Sequence, residues 1–139
     1  MQGSWNLHAL FPKGMDFFIL LSLACGVFGN GRQANYAAGN TYQDALTRYR
    51  GALGEKATAL DIGALLSERF LTENDSSLRG AVGGGFLPPM SEAELLALLD
   101  HCCDSTADIS TPLRCQAVTG IETPANIQAK GMEEPFWMQ

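Results

Sequence analysis

Positive charge is scarce in this sequence. Lys and Arg number 9 against 15 Asp and Glu, giving a net charge of -6 at pH 7. Nucleic acid and anionic membrane surfaces both call for clustered cations, so neither is an expected partner. Long apolar runs are lacking too. The most apolar stretch, residues 17–28, is shorter than the about 20 residues that a membrane-spanning helix needs. Its end, LSLACG (21–26), has the look of a lipid-modified signal sequence. Only Lys13 supplies positive charge ahead of it, however, Asp16 borders it, and Trp5, Leu7, Leu10 and Phe11 stand where a short basic start belongs. A cytoplasmic protein is expected. Cysteines are few: Cys25, Cys102, Cys103 and Cys115. Two are adjacent and the chain is rich in core residues, so free buried thiols are expected rather than disulfides. With His101 they match no metal-ligand spacing, and no metal is expected. There is no internal repeat and no long linker. Hydrophobic residues make up 46% and charged ones 17%, as in one globular domain.

What is present alternates between two periods. Residues 4–11 read as the end of an amphipathic helix, broken by Pro12, Lys13 and Gly14. The run FFILL (17–21) reads as a parallel strand covered on both faces. A glycine-rich turn, 26–31, leads into a helix over 34–50. Ala38, Tyr42, Ala45, Leu46 and Tyr49 form its predicted inner face. KATALDI (56–62) is a second strand, and RCQAVT (114–119) a third. Between these two strands, 63–90 reads as irregular, with short helices near 64–71 and 76–82. Ser91 and Glu94 then form a capping box, stapled by Met90 and Leu95, for a helix over 91–103 with Leu95, Leu96, Leu98, Leu99 and Cys102 inward. Residues 122–139 read as a loosely ordered tail with a short turn at 124–129. Strand, helix, strand, helix, strand is the grammar of an α/β fold. The expected architecture is a partial Rossmann-like (doubly wound) parallel sheet of about three strands with flanking helices.

Chemistry is concentrated after the first strand. The glycine order of Gly26, Gly29 and Gly31 is neither a dinucleotide fingerprint nor a Walker loop. Tyr36 and Asn40, four apart, share one face at the start of the next helix, at the carboxyl end of the strands where ligands of α/β sheets bind. A tyrosine there can donate a proton to a carbonyl oxygen, but the spacing by itself favours the plainer reading, in which Tyr36 packs and Asn40 caps.

The residues around this pair carry a resemblance. LLSLACGVFGNGRQANYAAGNTYQDAL (20–46) resembles the active-site segment of polyketide-synthase ketoreductase domains, of the short-chain dehydrogenase/reductase superfamily. GSWNLH (3–8), PKGMDFFI (12–19), ATALDIG (57–63) and FLPPMSEAELLALLD (86–100) look like the C-terminal half of that domain in fungal highly reducing synthases. The resemblance implies reduction of a β-keto thioester, carried on an acyl carrier protein, with NADPH. It makes Tyr36 the proton donor and Asn40 its catalytic partner, sets Gly63 beside the nicotinamide, and makes GAVGGG (80–85) part of a lid over the substrate.

Three departures accompany it. The family's carbonyl-holding serine lies thirteen residues before the tyrosine, and position 23 is leucine; Ser22, one step along, should point to the opposite face. The family's lysine falls just upstream of the segment matching 3–8, so the chain is expected to lack it. The glycine-rich nucleotide-binding half is expected to be missing as well. The chain is therefore expected to be a truncated, ketoreductase-like domain over 1–139, inactive when isolated. The alternative is a non-catalytic remnant or docking partner of a polyketide synthase. The apolar first strand is expected to be an open edge through which the chain self-associates.

Overall fold

The computed structural model describes residues 1–29, 32–66, 88–104, 106 and 114–131. Its centre is a parallel sheet in the order β1 (Ile19–Leu23), β2 (Thr58–Ile62), β5 (Gln116–Val118). Register runs Ile19 opposite Thr58 through Leu23 opposite Ile62, and Ala59 opposite Gln116. Around it lie α1 (Gln2–Leu10), the single turn α2 (Cys25–Phe28), α3 (Ala34–Ala52), α4 (Glu92–Cys103) and α5 (Pro124–Ala129). Two short strands, β3 (Leu65–Leu66) and β4 (Met90–Ser91), pair in parallel beside the main sheet. The strand order and the two long crossover helices agree with the sequence reading. At 65–66 the reading differs, because the backbone there pairs with Met90 and Ser91 instead of starting a helix. Residues 67–87, with the second expected short helix and the GAVGGG segment, lie outside the described residues.

Period two along the strands sorts side chains to two cores. Phe18, Leu20 and Ala57 pack with Leu46 of α3. Leu60 and Ile62 pack with Met90 and Cys102, joined by Ile19, Leu23, Leu95, Leu98 and Leu99. β2 is buried along its whole length, as a central strand covered by helices on both faces must be.

α3 shows the main correction. Its buried residues are Asn40, Asp44, Leu46, Thr47 and Arg50, whereas Ala38, Ala45 and Tyr49 are exposed. The helix is rolled so that polar groups meet the sheet, because Ser22 and Asp61 present polar side chains on that face. Arg50 lies 4.0 Å over the Phe18 ring and 3.0 Å from His8 Nδ1, with Glu55 3.7 Å away. Burial lowers its pKa while Glu55 opposes that shift. His8 and Trp5 lean on Tyr49, which docks α1 without burying any of its residues.

α4 begins as its sequence requires. Ser91 Oγ accepts from Glu94 N at 3.3 Å, and Glu94 Oε2 accepts from Ser91 N at 2.7 Å. Ser91 N and Ser91 Oγ both donate to the Glu94 carboxylate, and these two hydrogen bonds hold it below its usual range. Met90 and Leu95 meet in the core as the staple, while Leu96 is exposed rather than inward. Past β5, the expected turn at 124–129 is a helix. Thr123 caps it, Pro124 opens it, Ile127 is fully buried, and Glu122 holds Asn126 and Lys130. Residues 132–139 lie outside the described residues. The four cysteines are free thiols; Cys102 and Cys115 are buried, but Cys103 is exposed at the end of α4.

Candidate functional site

α3 runs antiparallel to β1: Asn40 lies beside Ser22 near the strand's carboxyl end, and Arg50 beside Phe18 at its start. Tyr36, one turn before Asn40, therefore projects beyond the carboxyl end of β1. It is 50% exposed. Among the described residues its phenol has no hydrogen-bond partner.

Asn40 is different in kind. It is buried, and its Nδ2 donates to Tyr36 O at 3.0 Å and contacts Cys25 Sγ at 3.4 Å. Its own carbonyl accepts from Ser22 Oγ at 3.3 Å. The residue thus ties α3 to α2 and to β1, and its amide is turned toward the protein. Thr41 Oγ1 donates to Gly26 O at 3.0 Å along the same seam. Gly26 sits inside α2, where a Cβ would stand 3.0 Å from Asn40 Cβ and 3.2 Å from Thr41 N. Its lack of a side chain serves close helix contact.

Gly63 follows β2. A Cβ there would meet Gly120 Cα at 2.8 Å and Thr119 O at 3.1 Å. Gly120 itself has φ +66, and a Cβ there would stand 2.8 Å from Gly63 Cα. Two glycines are needed where β2 and β5 leave the sheet in near contact. Gly63→Ala is expected to cost about 1–3 kcal/mol, because backbone rather than a pliable side chain must give way. Chemical denaturation would measure it, and a loss below about 0.5 kcal/mol would mean that the turn relaxes freely.

At position 23 the leucine packs into the α4-side core. Ser22 points the other way, as its strand position predicts, and only 1% of it is exposed. The structure thus brings Tyr36, Asn40 and Ser22 to one end of β1, and sets Gly63 at the neighbouring end of β2.

An open cleft of about 490 Å³ lies elsewhere, lined by Gly26, Val27, Thr41, Asp44, Arg48, Gln116 and Val118. Neither Tyr36, Asn40 nor Gly63 lines it. Beneath it is a polar seam that the sequence reading passed over. Asp44 and Asp61 are both buried, Gln116 Nε2 donates to Asp61 Oδ2 at 2.5 Å, and Arg48 Nη2 donates to Gln116 Oε1. Two signals for it stood in the sequence: an aspartate in the middle of KATALDI, and the spacing of four from Tyr36 through Asn40 and Asp44 to Arg48. No group of three or more His, Cys, Asp or Glu able to hold a metal occurs among the described residues.

Comparison with known proteins bears on this arrangement. The KR domain family model matches residues 1–67. The chain is 47% identical to highly reducing polyketide synthase 40 of Fusarium mangiferae, over 97% of this chain and 6% of that protein. It is 40% identical to highly reducing polyketide synthase 2 of Gibberella zeae, over 98% of this chain and 5% of that protein. It therefore spans only about one-twentieth of the length of these relatives. Among solved structures, the ketoreductase from the first module of phoslactomycin biosynthesis in Streptomyces sp. HK803 superposes with a TM-score of 0.67 at 24% identity, over 96% of this chain and 30% of that one. The first ketoreductase of the tylosin polyketide synthase gives 0.65 at 25% identity, over 93% and 26%. Sequence and fold agree, and the chain is a relative of the ketoreductase domains of fungal reducing polyketide synthases.

Proposed function

We propose that this chain carries the tyrosine-bearing part of a ketoreductase site in polyketide biosynthesis. The reaction is the NADPH-dependent reduction of a β-keto thioester to a hydroxyl, with the substrate presented on the acyl carrier protein of a polyketide synthase. The observation that carries this reading is the exposed Tyr36 phenol beyond the carboxyl end of β1. In that position it donates its proton to the substrate's carbonyl oxygen. Asn40 holds the first turn of α3 through the Tyr36 carbonyl, so its part is to keep the phenol in place.

The described residues do not make a nucleotide cradle by themselves. The space beside Gly26 is taken by α3, and that beside Gly63 by Gly120. NADPH binding by these residues alone is not expected. Leu23 offers no hydrogen bond to a developing oxyanion, a loss worth roughly 100- to 1,000-fold in rate. Ser22 does not replace it, since its side chain is buried on the opposite face of β1, against Asn40 and Asp44. These same observations favour a second reading, in which the chain is a non-catalytic partner that docks on a synthase. No helix among the described residues is long and apolar enough to cross a membrane. We place the protein in the cytoplasm with the synthase.

Purified chain incubated with NADPH and a β-keto thioester or a model ketone should give no measurable reduction, and Leu23→Ser alone should not restore it. Turnover by the pure chain that vanishes in Tyr36→Phe would overturn this expectation and make the chain a complete reductase.

A further inference from the structure

We propose that Asp44 and Asp61 share one proton across the seam between α3 and β2, and that this proton is a pH-sensitive latch on the seating of α3. Asp44 is 3% exposed and Asp61 fully buried. Asp61 Oδ2 accepts from Gln116 Nε2. The Oδ1 atoms of both aspartates are buried without a donor. Asp44 lines the cleft together with Gln116, the residue bonded to Asp61, so the two carboxyls meet at one seam. A buried acceptor left unpaired is costly, and two of them side by side as like charges are costlier. One proton removes both problems: the protonated carboxyl of Asp44 donates to the Asp61 carboxylate, and one charge remains instead of two.

A metal cation is the other conceivable occupant. Arg48 lines the same cleft and its charge opposes one. The groups facing Asp44 are Asp61 from β2, Ser22 from β1 and Arg48 from its own helix. Gln116 reaches in from β5, and the Cys25 thiol on α2 feels the Asp61 charge.

Burial first, then the charge of Asp61, pushes the Asp44 carboxyl up to about 6; Ser22 and Arg48 pull against this. The sign follows from linkage. Between 3.8 and about 6 the folded chain binds more protons than the unfolded one, so stability falls as pH rises through that window. Above it, two like charges face each other where α3 meets β2. Asp44 is one turn beyond Asn40 and two beyond Tyr36, so a loosened seam reaches the first turn of α3. The latch follows from this packing and does not depend on the ketoreductase reading.

The test is a carbon-13 NMR titration of the intact chain with labelled aspartate carboxyls, paired with thermal unfolding of wild type and Asp44→Asn. One aspartate resonance should titrate about two pH units above an ordinary aspartate and disappear in the variant. The wild-type melting temperature, measured against the variant's, should fall by about 5 °C across the same window. The proposal is overturned if every aspartate titrates below about pH 5, or if the variant keeps the wild-type pH slope. Stabilisation of the wild type alone by sodium, potassium, magnesium or calcium chloride above about pH 7 would assign the seam to a cation and overturn it as well. Should Asp44→Asn fail to fold, the wild-type titration decides by itself.

Discussion

Leu60→Ala is expected to cost about 3 kcal/mol, within the roughly 2–5 kcal/mol range for a leucine truncated in a packed core. Leu60 is fully buried in the middle of β2 and packs with Ile62, Met90 and Cys102. Its strand has a neighbour on either side, β1 and β5, and a helix over each face. The site is therefore sealed in every direction, and a cavity there has few ways to collapse. A loss of this size is a large part of the about 5–15 kcal/mol that holds a domain together, so the variant should unfold at a clearly lower urea concentration than the wild type. Urea denaturation followed by circular dichroism would check it. A cost below about 1 kcal/mol would mean that the core around Leu60 repacks or is loosely filled.

Self-association of the purified chain, reversed by Leu21→Lys, is the second expected result. β1 is the first strand of its sheet, and among the described residues no strand pairs with its outer edge. Leu21 is 54% exposed and Phe17, just ahead of the strand, 45%. An uncharged apolar edge with free backbone donors and acceptors is a template for another chain. A lysine at position 21 stands on an exposed part of that edge, and its charge opposes edge-to-edge pairing. Light scattering behind size-exclusion chromatography should report oligomers for the wild type and a shift toward monomer for the variant. A wild-type monomer that melts cooperatively well above about 50 °C would show the edge to be covered and the idea to be wrong.

Much of the architecture was legible from local pattern. FFILL and KATALDI read as strands because apolar runs of this length suit a sheet covered on both faces. The start of α4 was legible for the same kind of reason: Ser91, Glu94, Met90 and Leu95 interact with near neighbours in the chain, so the cap needs no tertiary partner. Tyr36 and Asn40 were singled out by a spacing of four on one helix, and the structure sets them at the end of β1. What spacing did not carry was the difference between them, one exposed and the other buried against Ser22 and Cys25.

Sequence alone determined the three main strands and the helices over 34–50 and 91–103, because hydrophobic period and end caps act over a few residues. It also determined the acidic balance, and with it the poor match to nucleic acid. Only the tertiary structure decided which face of α3 turns inward. Of the predicted inner face, Leu46 is buried and Tyr42 packs against the core, but Ala38, Ala45 and Tyr49 are exposed and Asn40, Asp44, Thr47 and Arg50 are buried instead. The partners that meet this face arrive from far along the chain: Ser22 bonds to Asn40, and Asp61, held by Gln116, faces Asp44. The same holds for Gly63, whose need for glycine appears only when Gly120 is brought so near that an added Cβ would stand 2.8 Å from its Cα. A helix period says that a face exists. Which face the sheet accepts depends on polar groups that meet only after the strands have paired.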